Sequence, residues 1–354
     1  MRKLATIRSI DNLTPINGAD RIETAWFGGW TVVVQKGLYS VGDKVVYLEV
    51  DSCLPIDNPI FASLAERGTK KIEDKLYHRL KTIRLKKQIS QGFALPIRES
   101  GLSEADINDE ECDLSEKLGI IKWDPELYAP GSAQLAGNAL RPFPSSIVPK
   151  TDEERCQNLP WVVNLEDSYE VTLKLDGSSF TAYYSSNDEH KFGVCSRNLQ
   201  LKFDDPINEG NALVKIAIKL DLENKLANCG KNVAIQAEIV GMGIQGNKDK
   251  FTEHKLFVFN VWDIDNQEEF LPKDRREFVA SIGLEHIPVL EEALVPKERF
   301  TNIQQMLEYA DGPSINAKWR EGVVFKCNSR VPGSKEVLSF KAISNQFLLQ
   351  NGDD

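Results

Sequence analysis

Long apolar runs are missing from this chain of 354 residues. No stretch of about 18 uncharged apolar residues occurs, so a helical membrane span is not expected. The N-terminus MRKLATIRSIDN lacks the apolar core of a signal peptide, and the expected location is intracellular, cytoplasmic or nuclear. Paired cysteines are missing as well. Cys53, Cys112, Cys156, Cys195, Cys229 and Cys327 are scattered without a CxxC, which argues against a zinc site or a disulfide framework and for reduced core thiols. His78, His190, His254 and His286 share no metal-ligand spacing, so a zinc hydrolase or a histidine triad has no support. A positive balance is missing too. The formal net charge is −10, which taken alone speaks against a nucleic-acid partner.

That average hides segregation. Arg67 to Lys87 holds nine basic residues against Glu73 and Asp74, whereas Glu99 to Glu116 holds eight acidic residues and no basic one. The basic run, with Lys81, Arg84, Lys86 and Lys87, alternates with apolar residues as a half-exposed strand would. A face of this kind contacts phosphates without reading bases.

Residues 1–125 read as an all-β barrel of OB type. GWTVVVQK and GDKVVYLEVDSCLP are β-branched and aromatic strands with glycine turns, although an SH3-like barrel fits the same pattern. The acidic segment after residue 98 suggests one or two short helices. Residues 126–160 are rich in Pro, Gly, Ser and Asn and read as a linker. Residues 161–354 alternate strong strands with amphipathic helices. The clearest helix spans NEGNALVKIAIKLDLENKLANCGKN, on the spacing of Leu213, Ile216, Ala217, Leu220 and Leu226. The fold class is α+β, with antiparallel sheets and flanking helices in the second part.

Charged residues interrupt the apolar strands of that second part: Lys174, Asp176, Arg197, Glu238, Glu321, Lys326 and Lys341. One such residue is ordinarily an exposed strand position. Several strands interrupted in both signs suggest a shared site for a polyanion and a cation, because buried charge must be paired or bound. KLDGSS (174–179) resembles the KxDG signature of covalent nucleotidyltransferases, the superfamily of polynucleotide ligases and capping enzymes. SRN (196–198), AEIVGMGIQGN (237–247), FVFNVWDI (257–264), EGVVFK (321–326) and LSFKAIS (338–344) resemble its further motifs in the same order. FPSSIVPKTDEERCQN, EIVGMGIQGN and SFKAIS, with the barrel placed first, resemble RNA ligases of the Naegleria and Deinococcus type. The resemblance implies a nucleotidyltransferase (ATP-grasp-like ligase) domain after the OB domain.

It also implies an ATP-dependent RNA ligase that seals 3′-OH/5′-phosphate nicks in RNA or an RNA-containing duplex, as a monomer, in RNA repair. Lys174 is then the nucleophile that becomes lysyl-AMP. Asp176, Glu238 and Glu321 hold Mg²⁺ or Mn²⁺, needed before attack because bare carboxylates raise the lysine pKa. Arg197, Lys326 and Lys341 contact phosphates, Phe259 stacks on adenine, and Leu173 and Gly177 line the nucleotide. Lys150 and Arg155 contact pyrophosphate or nucleic acid. The last motif departs from the family's KxK: Ser339 stands at the first position, and Lys326 or Lys335 supplies the missing charge. A DNA ligase, a capping guanylyltransferase, or a nucleic-acid-binding protein without catalysis are the alternatives.

Overall fold

The computed structural model describes residues 3–110, 112–128 and 137–351. The chain divides into two compact units, Met1–Tyr128 with Leu348–Asp354, and Ala129–Phe347. Among the described residues, no helix is long and apolar enough to cross a membrane.

In the first unit, Lys44–Leu48 is the central strand between Ala5–Ser9 and Phe93–Pro96, antiparallel to both. Its alternation is buried on both sides. Val45 and Tyr47 pack with Phe27, Trp30 and Val32, while Val46 and Leu48 pack with Leu4, Ile7 and Leu54. A strand apolar on both faces has to be wrapped, which is the barrel condition. The wrapping is richer than the short barrel read from the sequence: a meander of Asn12–Pro15, Ile22–Phe27 and Trp30–Gln35, a four-stranded sheet around Ser52–Pro55 and Lys75–Arg79, and a hairpin. That hairpin corrects the expected basic strand. Thr82–Leu85 pairs with Gln88–Gln91, and Lys86 and Lys87 form the two-residue turn at φ of 48° and 72°. Two short helices, Glu104–Asn108 and Ser115–Leu118, follow in the acidic segment.

In the second unit a seven-stranded and a five-stranded sheet carry the core. Phe180, Ala182, Val194, Ile235 and Val258 face the helices Ala212–Lys219 and Leu222–Ala227. These two helices replace the single long one expected, because Asp221 sits at φ of 52° and ends the first. Tyr169, Val171, Val323, Phe325 and Phe340 form a separate core with helix Ile303–Ala310.

The stretch expected as a linker is built into these sheets from residue 139 onward. Ala139–Pro142 pairs with Leu199–Leu201. Glu154–Arg155 runs parallel to Ser339–Ile343, so the five-stranded sheet is not wholly antiparallel. Residues 129–136 of that stretch lie outside the described residues; the anchoring of the rest was not visible in the sequence, since two-residue strands leave no periodicity to read.

Candidate active site

Register explains which charges meet. In the five-stranded sheet, Tyr169–Lys174 pairs with Gly322–Cys327, which pairs with Ser339–Ile343. Partners across antiparallel strands share a face. One row is Lys174, Gly322 and Ile343; the next is Thr172, Val324 and Lys341; the third is Glu170, Lys326 and Ser339. The opposite face carries Val171, Val323 and Phe325 into the core. Lysines therefore interrupt these strands only on the face that the apolar core does not use. Lys341 lies one pleat repeat along and two strands across from Lys174, about 12 Å, and Lys326 two repeats along and one strand across, about 14 Å.

Lys174 Nζ donates to Glu321 Oε2 at 2.6 Å. Gly177 follows at the crossing into the seven-stranded sheet, and its N–H donates to Glu238 Oε1 at 3.0 Å. A Cβ at Gly177 would lie 2.9 Å from Glu238 Cγ and closer still to the Ile239 carbonyl. Glycine is thus required by the approach of strand Val233–Val240, and that approach brings Glu238 to Lys174. Asp176 Oδ2 is 2.9 Å from Lys248 Nζ, a partner that the sequence reading missed.

Three carboxylates around one lysine leave excess negative charge. Burial pushes Glu238 up to about 8, with Glu321 and Asp176 adding to the rise against Lys174. Burial and Glu321 lift Asp176 to about 6 against the pull of Lys248. Burial favours neutral Lys174, but Glu321, Glu238 and Asp176 outweigh it and hold the ammonium above its usual range. This donor set fits a hard divalent cation, which prefers oxygen ligands and would relieve the repulsion. Among the described residues, no three His, Cys, Asp or Glu side chains converge tightly enough to hold a metal unaided. Phosphate oxygens of a bound nucleotide would have to complete the shell.

The cations sit opposite. Lys341 is pulled below its usual range by burial, against Asp152, with Lys174 and Arg155 adding to the fall. Asp152 bridges two expected phosphate ligands, with 3.3 Å to Lys341 Nζ and 3.3 Å to Arg197 Nη2. Lys150 Nζ donates to Asn198 Oδ1 at 2.8 Å, and Arg155 pairs in register with Lys341. The segment expected as a linker is thus a wall of the site. Asp152 was invisible as a site residue because an acidic residue in TDEER carries no strand pattern.

Lys326 differs from Lys341. It is buried, donates to Glu269 and lies 3.4 Å from Asn260 Oδ1. Glu269 Oε2 also accepts from the Val337 N–H at 3.0 Å. Ser339 stands beside Lys326 in register, whereas Lys335 Nζ is taken by the Asn266 carbonyl at 3.0 Å and Glu268 at 3.2 Å. Of the two candidates for the missing charge, Lys326 shares the row and Lys335 does not. Glu170 beside them is fully buried and accepts from Arg275 and Arg276.

Phe259 is half-buried against Leu173, Leu175, Val240, Phe251, Phe257 and Ile287. It offers an aromatic surface at the margin of this cluster. Leu173 is buried in the same cluster and its N–H donates to the Pro288 carbonyl at 2.9 Å. Its side chain and its amide are thus both engaged within the fold. Lys81, Arg84, Lys86 and Lys87 are exposed on the first unit.

Comparison with known proteins gives two family models. One, described as an OB-fold domain, matches residues 4–97, and one, described as RNA ligase, matches residues 167–343. No curated protein matches the sequence. Among solved structures, the chain is similar to Naegleria gruberi RNA ligase with PPi, at 38% identity and a TM-score of 0.83, covering 98% of each chain. A lysine-to-alanine mutant of that ligase with ATP and Mn matches at 37% identity and a TM-score of 0.84, again over 98% of each chain. A glutamate-to-alanine mutant with AMP and Mn matches at the same identity, score and coverage.

Proposed function

The chain belongs to the RNA ligase family, and we propose that it seals 3′-OH/5′-phosphate nicks in RNA through lysyl-AMP, using ATP. The observation that carries the reading is Lys174 Nζ set 2.6 Å from Glu321 between Glu238 and Asp176, with Lys341 in the adjacent row. Lys174 Nζ attacks the α-phosphorus of ATP; the bond from that phosphorus to the bridging oxygen breaks and pyrophosphate leaves. The nucleophile must first shed a proton, and Glu321 Oε2 is an acceptor at hydrogen-bond distance. Strand anchoring holds Nζ in place for an in-line approach. Lys341 faces the charge that develops on the α-phosphate. Arg197 offers a planar fork for the 5′-phosphate or AMP. Lys326, in the third row and buried against Glu269, supplies positive charge behind the phosphate path. Phe259 stacks on the adenine.

Asp176, Glu238 and Glu321, with phosphate oxygens of the nucleotide, would hold Mg²⁺ or Mn²⁺, whose positive charge would favour neutral Lys174 and polarise the phosphate. AMP then passes to the 5′-phosphate, and the 3′-OH displaces it. The enzyme acts as a monomer in RNA repair inside the cell. Arg155 and Lys150 approach pyrophosphate or the RNA, and Lys81, Arg84, Lys86 and Lys87 contact its backbone.

Nicked duplexes with RNA or DNA on the 3′-OH side test the substrate assignment. Sealing should need ribonucleotides on that side. Equal sealing of an all-DNA nick would favour the DNA ligase alternative instead.

A further inference from the structure

Three carboxylates meet at the nucleophile, and each is held by a different donor. Glu321 accepts from Lys174 at 2.6 Å, Glu238 accepts from the Gly177 N–H at 3.0 Å, and Asp176 Oδ2 lies 2.9 Å from Lys248 Nζ. The first donor is the nucleophile and the second is backbone. Lys248 performs none of the chemical steps. We infer that Lys248 is a positioning residue: it holds Asp176 apart from Glu238 and Glu321, so that the divalent cation binds firmly only together with the phosphates of a nucleotide. The inference rests on the ATP-dependent RNA ligase reading and deepens it with a control on when the metal binds.

The segment that carries Lys248 is strained and firmly anchored. Gln245, Gly246 and Asn247 are consecutive residues at φ of 41°, 67° and 46°, and Lys250 sits at 55°. Left-handed backbone is unfavourable for a residue such as Gln or Lys and persists only where the surroundings over-determine it. Both neighbours of Lys248 are pinned. Asn247 Oδ1 accepts from the Phe251 N–H and its Nδ2 donates to the Phe251 carbonyl, each at 2.9 Å. Asp249 is buried and accepts from Ser314 Oγ at 2.7 Å and from the Asn316 and Ala317 N–H groups at 2.8 and 3.2 Å. Residues 314–317 lie just ahead of Glu321, so Asp249 ties the Lys248 segment to the one that delivers Glu321. Lys248 Nζ also sits 5.1 Å from the centre of the Phe347 ring. Its side chain is only 20% exposed and that of Asp176 17%, so the pair is fixed in the site and does not sweep through solvent.

An ammonium held in this place acts on a metal in two ways. It engages a carboxylate oxygen that a hard cation would otherwise take, and its own charge repels that cation. Three carboxylates stand around Lys174, yet among the described residues no three His, Cys, Asp or Glu side chains converge on a metal position. Phosphate oxygens supply what the protein withholds. Metal and phosphates then enter the site as one unit.

The test is Mn²⁺ binding to the full chain without nucleotide, read from the electron paramagnetic resonance signal of free Mn²⁺. Pyrophosphate treatment and dialysis first remove any AMP from Lys174. Wild type should bind Mn²⁺ weakly. Lys248→Met, which keeps the stem and removes the charge, should bind at least about tenfold more tightly. Lys248→Arg keeps the charge and should stay within about threefold of wild type. Adding Asp176→Asn to Lys248→Met should abolish the gain, because Asp176 is the ligand that the metal acquires. Circular dichroism confirms that the variants are folded, and Lys248→Gln takes the place of Lys248→Met if that variant is not. No gain in the neutral variant overturns the inference. So does an equal gain in Lys248→Arg, or a gain that survives Asp176→Asn. AMP labelling of wild-type Lys174 is read separately and tests the catalytic assignment, so failure of one leaves the other standing.

Discussion

Lys174, Val324 and Lys341 reach the site on three strands in register, with apolar partners filling the opposite face. Lys150, Asp152 and Arg155 reach it on a segment with only two residues of strand. The first wall is held by a ladder and a core, and moving one residue would move the whole row. The second meets Asn198, Arg197 and Lys341 mainly through side chains. A site made this way has one rigid side that fixes the nucleophile. Its other side carries the pairs Lys150–Asn198 and Asp152–Arg197, exposed enough for a substrate to replace them.

The largest effect expected from this difference is on stability, on the rigid side. Glu269→Ala leaves the buried Lys326 ammonium without its carboxylate and should cost about 3–5 kcal/mol in denaturant unfolding. A loss below about 1 kcal/mol would mean that Lys326 reaches solvent readily and the wall is softer than described. Next comes catalysis. Lys341→Ala should slow AMP transfer to Lys174 by about 10²–10³-fold, the usual loss for a preorganised charge at a developing anion. Lys150→Ala, on the other wall, should cost less than about tenfold. Equal losses would erase the distinction between the walls.

The buried layer under the rigid side also sets an acid limit. His286 Nε2 accepts from Arg275 Nε at 3.0 Å while its Nδ1 donates to the Ile287 carbonyl at 2.6 Å. Burial, then Arg275, Arg276 and Lys326, hold its pKa down to about 4. The unfolded chain therefore binds the proton first as pH falls from about 6.5, the ordinary histidine value. Stability is full above that value and falls progressively until about pH 4, by at most about 3 kcal/mol. Denaturant melts of wild type and His286→Gln should converge in their acid slope only if another group is responsible.

The smallest effect lies on the exposed side. Asp152→Asn removes a carboxylate that competes with phosphate for Lys341 and Arg197. In the Lys174→Ala background, ATP should bind a few-fold more tightly, about 1 kcal/mol or less for so exposed a pair. Weaker binding would make Asp152 a contributor to the substrate site instead of a placeholder.

The same contrast explains what the sequence could show. KLDGSS, EGVVFK and LSFKAIS are strands, and a lysine or glutamate in period-two apolar text stands out. Lys174, Lys326 and Lys341 fall in the paired rows and Glu321 directly before one of those strands, while Glu238 comes from the seven-stranded sheet and Arg197 from a bend beside it. Leu173 alternates onto the opposite face, which places its side chain in the core and its amide in a backbone bond. Asp152, Lys248 and Glu269 lie in loops or a two-residue strand, where only the folded chain shows whom they meet. The barrel was legible as β from Val45 to Leu48. Its four-stranded sheet and the positive-φ turn at Lys86 and Lys87 depend on short local geometry that residue type signals weakly.

The central claim is that Lys174 forms the bond to AMP. Incubation with ATP labelled on the α-phosphate, with Mg²⁺ or Mn²⁺ and no RNA, followed by denaturing electrophoresis, tests it directly. Wild type should carry acid-labile label that is released on adding pyrophosphate, and Lys174→Ala should carry none. Label on the Lys174→Ala chain equal to wild type, or no label on wild type with either metal, would contradict the account.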